Sequence, residues 1–301
     1  MSPEAKKVEV QVEGRKLVLS NLGKVLYPAA GFTKAQVIDY YERISPVLLP
    51  HIAGRPVTIK RYPDGVDGKF FFQKNAPASR PDWVPTAQIS SPGSTKARDS
   101  LTYILGGDLP TLIWAANLAA LELHTPMWRH PDAGKPDLLV FDLDPGPPAT
   151  IVECCAVAEL LRPLLVDRGL EPLAKTSGGK GLQLYAAVSG MTSEQTSELA
   201  KDLAEQLESE QPKLVVSRMT KALRPRKVLI DWSQNNSAKT TVAPYSLRAR
   251  EQPTVSTPVT WDEVAACKHA RDLVFTADDV LDRVAAAGDL FAFATGSENK
   301  G

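Results

Sequence analysis

The chain has 301 residues, 43% of them hydrophobic and 23% charged, with 35 basic and 35 acidic side chains in balance. That length supports a sizeable core in one compact unit of two lobes, and no apolar run approaches the roughly 20 residues that a membrane span needs. Residues 1–7 lack an apolar signal region, and Cys154, Cys155 and Cys267 are too few and too badly spaced for a disulfide framework or a zinc site. The expectation is a cytoplasmic protein with core thiols, whose nucleic-acid contacts rest on local patches.

Residues 8–12 and 15–19 read as a hairpin around Glu13-Gly14, followed by a loop over 20–32 that carries Asn21, Lys24 and Tyr27-Pro28. Thr33 with Gln36 fits a capping box, behind which Val37, Tyr40, Tyr41, Ile44, Val47 and Leu48 recur at helical spacing. Strands are expected at 57–61 and 69–74, flanking a Pro63-Asp64-Gly65 turn, and a proline-rich surface loop with short strands at 77–96. Asp108 and Pro110 start a helix expected to run through Ala120 and to lead into Glu122-Leu123-His124. An apolar strand from Leu138 ends in Asp142-Leu143-Asp144-Pro145-Gly146. A helix at 150–168, strands at 173–176 and 182–187, and an amphipathic helix capped by Thr192 and reaching Glu210 come next. Strands and basic loops then fill 213–242, and a closing helix covers 276–287. The small polar residues after Phe293 read as a frayed tail.

Between Gln211 and Arg250 the only acidic side chain is Asp231, set among Lys213, Arg218, Lys221, Arg224, Arg226, Lys227, Lys239, Arg248 and Arg250. A lone carboxylate in so basic a stretch suits a site that holds a divalent cation beside a polyanion. Because strand side chains alternate, Asp142 and Asp144 share one face while Phe141 and Leu143 take the other. Val228-Leu229-Ile230-Asp231-Trp232 delivers a third carboxylate at a strand end. Together they could hold a pair of Mg²⁺ or Mn²⁺ ions at the roughly 3.5–4 Å separation of two-metal phosphoryl-transfer sites. Taken alone, Asp-Pro-Gly is also a good turn sequence.

Thr176-Ser177-Gly178-Gly179-Lys180-Gly181 lies between two strands, where backbone N–H groups can approach phosphate oxygens; it lacks the Walker A spacing, and a tight hairpin is its plainer reading. Phe71 and Phe72 could stack on bases, and adjacent strand positions lead one to expect that one of the two is buried. Asn21, Lys24 and Lys34 could hold a terminal phosphate, although solvated lysines are the commoner case. A glycosyltransferase using Asp142 and Asp144 for a nucleotide sugar would leave Asp231 and its basic surroundings unexplained.

These segments, in this order, resemble the polymerase domain of bacterial LigD-type non-homologous end-joining ligases, in the archaeo-eukaryotic primase superfamily. The resemblance rests on Asn21-Leu22-Gly23-Lys24-Val25-Leu26-Tyr27-Pro28, His51-Ile52-Ala53-Gly54-Arg55-Pro56, Leu121-Glu122-Leu123-His124, Phe141-Asp142-Leu143-Asp144-Pro145-Gly146, the 176–181 loop, Asp231-Trp232-Ser233-Gln234-Asn235 and Ala243-Pro244-Tyr245-Ser246-Leu247-Arg248. It implies an α/β (α+β), primase-type two-lobed fold, with a central, mostly antiparallel sheet flanked by helices. The domain would span 10–293, between tails at 1–9 and 294–301.

The resemblance also implies that Asp142, Asp144 and Asp231 are the catalytic metal ligands, and that His124, Ser177, Lys180, Gln183, Arg224, Gln234, Lys239 and Arg248 surround the nucleotide. Asn21, Lys24 and Lys34 would take a DNA 5′-phosphate, while Lys60, Arg61, Phe71 and Phe72 would lie along the DNA and template. The implied activity is template-directed, ribonucleotide-preferring extension or gap filling at DNA ends in repair, with two Mn²⁺ or Mg²⁺ ions and NTP or dNTP as substrate. Implied partners are gapped or broken duplex DNA bearing a 5′-phosphate, a Ku-like end-binding protein and a separate DNA ligase. With no ligase or phosphoesterase segment in the 301 residues, a stand-alone polymerase in the bacterial nucleoid is expected.

The family pattern has histidine after Lys-Gly-Leu where this chain has Gln183. Glutamine hydrogen-bonds but carries no charge, so weaker triphosphate binding or a lower rate is expected. The competing functions are a DNA-end-binding module without catalysis and a primase-like primer synthase.

Overall fold

Strand alternation makes β1 (Lys7–Val12) and β2 (Arg15–Ser20) the expected hairpin, closed by Glu13 and Gly14 at φ 46° and 77°. The computed structural model describes residues 7–90 and 100–292. Part of the proline-rich segment at 77–96 and the whole tail at 294–301 lie outside the described residues, and β1 takes in the last residues expected of the N-terminal tail.

A short ribbon, β3 (Val25–Tyr27) with β4 (Phe32–Thr33), leads into α1 (Lys34–Ile52). The capping box is formed: the Gln36 amide nitrogen donates to Thr33 Oγ1 at 3.4 Å, and Thr33 N donates to Gln36 Oε1 at 2.8 Å. β5 (Pro56–Arg61), β6 (Phe71–Gln73), β7 (Thr86–Ser90), β8 (Ser100–Leu105), α2 (Leu109–Asn117) and β9 (Ala120–Thr125) follow. α2 stops short of its expected end at Ala120, because Ala119 turns to φ 58° and redirects the chain into β9. The apolar face of α1 packs with α2 and the sheet into the first core. Its buried phenols are satisfied, Tyr40 donating to the Tyr245 carbonyl at 2.8 Å and Tyr41 to the Leu121 carbonyl at 2.7 Å.

The second lobe is built from β10 (Leu138–Pro145), α3 (Ile151–Val166), β11 (Leu173–Thr176), β12 (Leu182–Ala187), α4 (Ser193–Glu210), β13 (Val215–Val216) and β14 (Val228–Asp231). β15 (Thr241–Val242), β16 (Pro258–Val259), α5 (Trp261–Ala266) and α6 (Ala277–Ala287) close the chain. The first sheet runs β15-β9-β5-β8-β7 with β6 on β5, and the second runs β13-β14-β10-β12-β11-β16. Pairing in the second is antiparallel except between β13 and β14. Leu139, Phe141, Leu143, Leu182 and Leu184 bury one face of it with residues of α3 and α4, including Cys154 and Cys155. The opposite face carries Val140 and Tyr185, packed with Met127 and Phe291 in a small third cluster, and beside them the polar side chains of Asp142, Gln183 and Lys175. Among the described residues no helix is long and apolar enough to cross a membrane.

Candidate active site

The register of the second sheet sets Asp231 opposite Asp142, Asp142 opposite Gln183, and Gln183 opposite Lys175. Directly paired residues share a face, so these four form one row across β14, β10, β12 and β11. Asp144, two residues beyond Asp142, joins them. Burial and then the neighbouring Asp144 push the Asp142 carboxyl up to about 7, and burial with the charge of Asp231 raises Asp144. Asp142 Oδ1 accepts from the Gln183 amide at 3.0 Å. Asp231 is turned to its own turn, accepting from Ser233 N at 3.1 Å and from Gln234 Nε2 at 2.9 Å. With the side chains so turned, no group of three or more His, Cys, Asp or Glu among the described residues is arranged to hold a metal ion. The donor set still fits one. Crowded carboxylates withdrawn from water are the hard oxygen ligands that Mg²⁺ and Mn²⁺ take.

Asp142, Asp144 and Gln183 open onto a cavity of about 300 Å³ whose other walls include His124, Ser177, Lys180, Arg248 and Arg250. The loop at 176–181 reaches it only because of its glycines. Gly178 has φ 64°, and a Cβ on Gly181 would lie 2.3 Å from the Leu143 carbonyl oxygen. Arg248 Nη1 holds the loop through the Ser177 carbonyl at 2.6 Å. Arg224 lowers the proton affinity of Asp144 from beside it while donating to the Met219 carbonyl at 2.7 Å. The Nε atoms of Arg224 and Arg248 are buried without a hydrogen-bond partner, although that of Arg248 faces the Glu122 carboxylate at 3.6 Å. Gln234 bonds to Asp231, and Lys239 Nζ donates to Ser233 Oγ.

Sequence reasoning missed Glu122, only 2% exposed. Its carboxylate accepts from His124 Nε2 at 2.9 Å and from Ala249 N at 3.1 Å, and lies 3.6 Å from both Lys60 Nζ and Arg248 Nε. Burial alone would raise it, but the His124 hydrogen bond and the charge of Arg248 outweigh burial and hold Glu122 down at about 2. Burial lowers His124 against the pull of Glu122. The available signal was a carboxylate between two leucines on a strand, sharing a face with His124 at a spacing of two.

A second basic corner lies at the start of α1. Asn21 has φ 55°, and its carbonyl accepts from Lys24 N at 2.9 Å in a tight turn. Lys34 Nζ donates to the Ser20 carbonyl at 2.6 Å, and burial, then Lys24 and Arg61, bring its ammonium down to about 8. Lys24 pairs with Asp64 at 2.9 Å. Lys60 and Arg61 are separated by the strand period: Arg61 joins this corner, and Lys60 goes to Glu122 and lies over the Phe70 ring at 4.3 Å. The expectation that Phe71 or Phe72 is buried fails, since they are 56% and 47% exposed. β6 is a three-residue strand that pairs, among the described residues, with β5 alone, so both rings stay largely exposed, the Phe72 ring standing edge-on to His124 at 5.4 Å.

The signature of the LigD primase-polymerase domain matches residues 33–291. The chain is 48% identical over 277 residues to the multifunctional non-homologous end joining protein LigD of Mycolicibacterium smegmatis, covering 91% of this chain and 35% of that protein. It is 44% identical over 285 residues to the multifunctional non-homologous end joining DNA repair protein LigD of Mycobacterium tuberculosis, covering 92% and 36%. It thus spans about a third of the length of these curated relatives. The solved polymerase domain of Mycobacterium tuberculosis Ligase D in complex with DNA superposes with a TM-score of 0.86 at 42% identity, over 93% of this chain and 98% of that one. Joined to a sheet that gathers the expected carboxylates beside a basic cavity, these matches show that the chain belongs to the LigD primase-polymerase domain family of nucleotidyltransferases.

Proposed function

We propose that the chain extends DNA 3′ ends and fills gaps at breaks by template-directed nucleotide addition. The observation that carries this is the register that sets Asp142 opposite Asp231, with Asp142 and Asp144 lining a cavity that Lys180, Arg248 and Arg250 make basic. Asp142, Asp144 and Asp231 would hold Mn²⁺ or Mg²⁺, which when bound lowers the pKa of the primer hydroxyl and offsets the charge of the leaving pyrophosphate. Lys180, Ser177 and Arg248 bind the triphosphate, and Arg224 and Arg248 stabilise charge developing on it. Glu122 accepts a hydrogen bond from His124 Nε2–H, which leaves Nδ1 of the neutral ring to accept from a nucleotide hydroxyl. Gln234 and Lys239 hold Asp231 and its turn. Phe71 and Phe72 stack against the template, the exposure of both rings favouring this over a core role.

Preference for ribonucleotides, the domain limits of 10–293, action in the cytoplasm and cooperation with a Ku-like protein and a separate ligase rest on the family resemblance. Asn21, Lys24, Lys34 and Arg61 form the pocket for the 5′-phosphate at the far side of a gap.

A downstream 5′-phosphate should therefore strengthen binding to gapped DNA by about 10- to 100-fold, the range of charged hydrogen bonds worth roughly 1.5–3 kcal/mol. Lys34 is protonated below about 8 and loses its charge above it. The phosphate is already a dianion near neutrality. The affinity ratio between phosphorylated and hydroxyl-ended DNA should be largest near about pH 7 and fall through about pH 8 to 9. Fluorescence titrations of wild type, Lys24→Ala and Lys34→Met check this. Equal wild-type affinities for the two DNAs would remove the pocket.

A further inference from the structure

Lys175 has no part in the functions assigned above, yet its side chain is completely buried beside the carboxylate row. Its ammonium donates to Gln183 Oε1 and, at 2.7 Å, to Ser256 Oγ. Ser256 Oγ itself donates to the Thr176 carbonyl at 2.8 Å, so it accepts from Lys175. Gln183 Nε2 in turn donates to Asp142 Oδ1 at 3.0 Å. We propose that Lys175 is a positioning residue of the site, acting through the Gln183 amide to fix the Asp142 carboxylate for a divalent cation. The proposal rests on the metal reading of Asp142.

With Asp142 ionised, as cation binding requires, and Lys175 charged, the three groups permit only one arrangement. A lysine ammonium can only donate and a carboxylate can only accept, so the amide between them must present its oxygen to Lys175 and its NH₂ to Asp142. Without Lys175 only the Asp142 carboxylate favours that orientation, and the buried amide oxygen of Gln183 is left without its lysine donor. The amide would then shift to satisfy that oxygen elsewhere and loosen its hold on Asp142. The register makes the chain rigid, because Lys175, Gln183 and Asp142 are direct partners on adjacent strands. The inserted amide also keeps the ammonium from pairing with Asp142 directly, which would compete with a metal for the same oxygens. A buried ammonium is a costly core residue, and an apolar side chain of its volume would often be the more stable choice.

The same polarity rule changes what Gln183 means. A neutral imidazole there could accept from Lys175 with one nitrogen and donate to Asp142 with the other. An imidazolium would face the ammonium of Lys175. Glutamine and histidine thus serve the chain alike, and Gln183→His should keep it intact.

The test is titration of the protein with Mn²⁺ alone, following the free ion by electron paramagnetic resonance, with thermal unfolding to confirm that each variant folds. Lys175→Met and Gln183→Met should each weaken Mn²⁺ binding by roughly 10- to 100-fold, the usual cost of removing an outer-shell partner of a ligand. Their combination should be no weaker than the worse single variant, because both break one chain, and Gln183→His should stay within a few-fold of wild type. A folded Lys175→Met that binds Mn²⁺ like wild type, while Asp142→Asn does not bind it, overturns the role of Lys175 and leaves the metal site standing. Additive losses in the double variant also overturn it. Wild-type Mn²⁺ binding by Asp142→Asn would remove the metal reading and this proposal with it.

Discussion

Asp142→Ala and Asp231→Ala are each expected to lose nucleotide incorporation by about a thousand-fold or more, while gapped DNA binds within a few-fold of wild type. The magnitude follows from the several kcal/mol that a correctly held metal contributes to phosphoryl transfer, at about 1.4 kcal/mol per tenfold in rate. The two residues face each other across β10 and β14, so removing either takes one wall from the same position. Their strands are held by the apolar partners Leu143 and Ile230 on the other face, which the substitutions leave untouched. The corner at Lys24, Lys34 and Arg61, proposed above as the 5′-phosphate pocket, is likewise untouched. Primer-extension rates read beside DNA titrations separate the two effects. Incorporation by either variant within a few-fold of wild type would contradict the assignment.

Glu122→Gln should be the most damaging single change outside the carboxylate row, costing roughly 3 kcal/mol of stability at about pH 7, the lower end for breaking a buried ion pair. It leaves Lys60, His124 and Arg248 gathered around a neutral group. The pH dependence has a definite sign. Glu122 is held at about 2, below its value in an unfolded chain, so its contribution is complete above about pH 5 and is lost as pH falls through 2. Urea unfolding of wild type and variant should therefore show a gap that narrows on acidification from about pH 5. The variant's Michaelis constant for nucleotide should rise as well, because His124 and Arg248 lose their common partner. A gap that stays constant down to about pH 3 would mean that the carboxylate charge is not what matters.

What could be read from the sequence was what local periodicity determines. Alternation placed Asp142 and Asp144 on one face, Thr33 announced its helix through a capping box and Thr192 as a cap, and the structure forms a capping box at both. The isolation of Asp231 marked it, but its place opposite Asp142 is a matter of strand register, which no local pattern specifies. Glu122 and Lys175 were missed for the same reason: their partners come from residues 60, 124 and 248 in one case and 183 and 256 in the other. Alternation also misled at Phe71 and Phe72, because it implies a buried face only where a sheet is covered, and both rings of the short strand β6 stay largely exposed. At Ala119 a single left-handed residue ended a helix that composition alone would have continued.

The central claim, that this carboxylate row performs templated nucleotide transfer, is tested most directly by offering nucleotides one at a time. The substrate is a gapped duplex with a downstream 5′-phosphate, and Mn²⁺ is the metal. The expected result is incorporation of the nucleotide complementary to the template base, ribonucleotide before deoxyribonucleotide, abolished by a chelator and by Asp142→Ala. Wild-type protein that binds the gapped DNA yet incorporates no nucleotide with either Mn²⁺ or Mg²⁺ would contradict it.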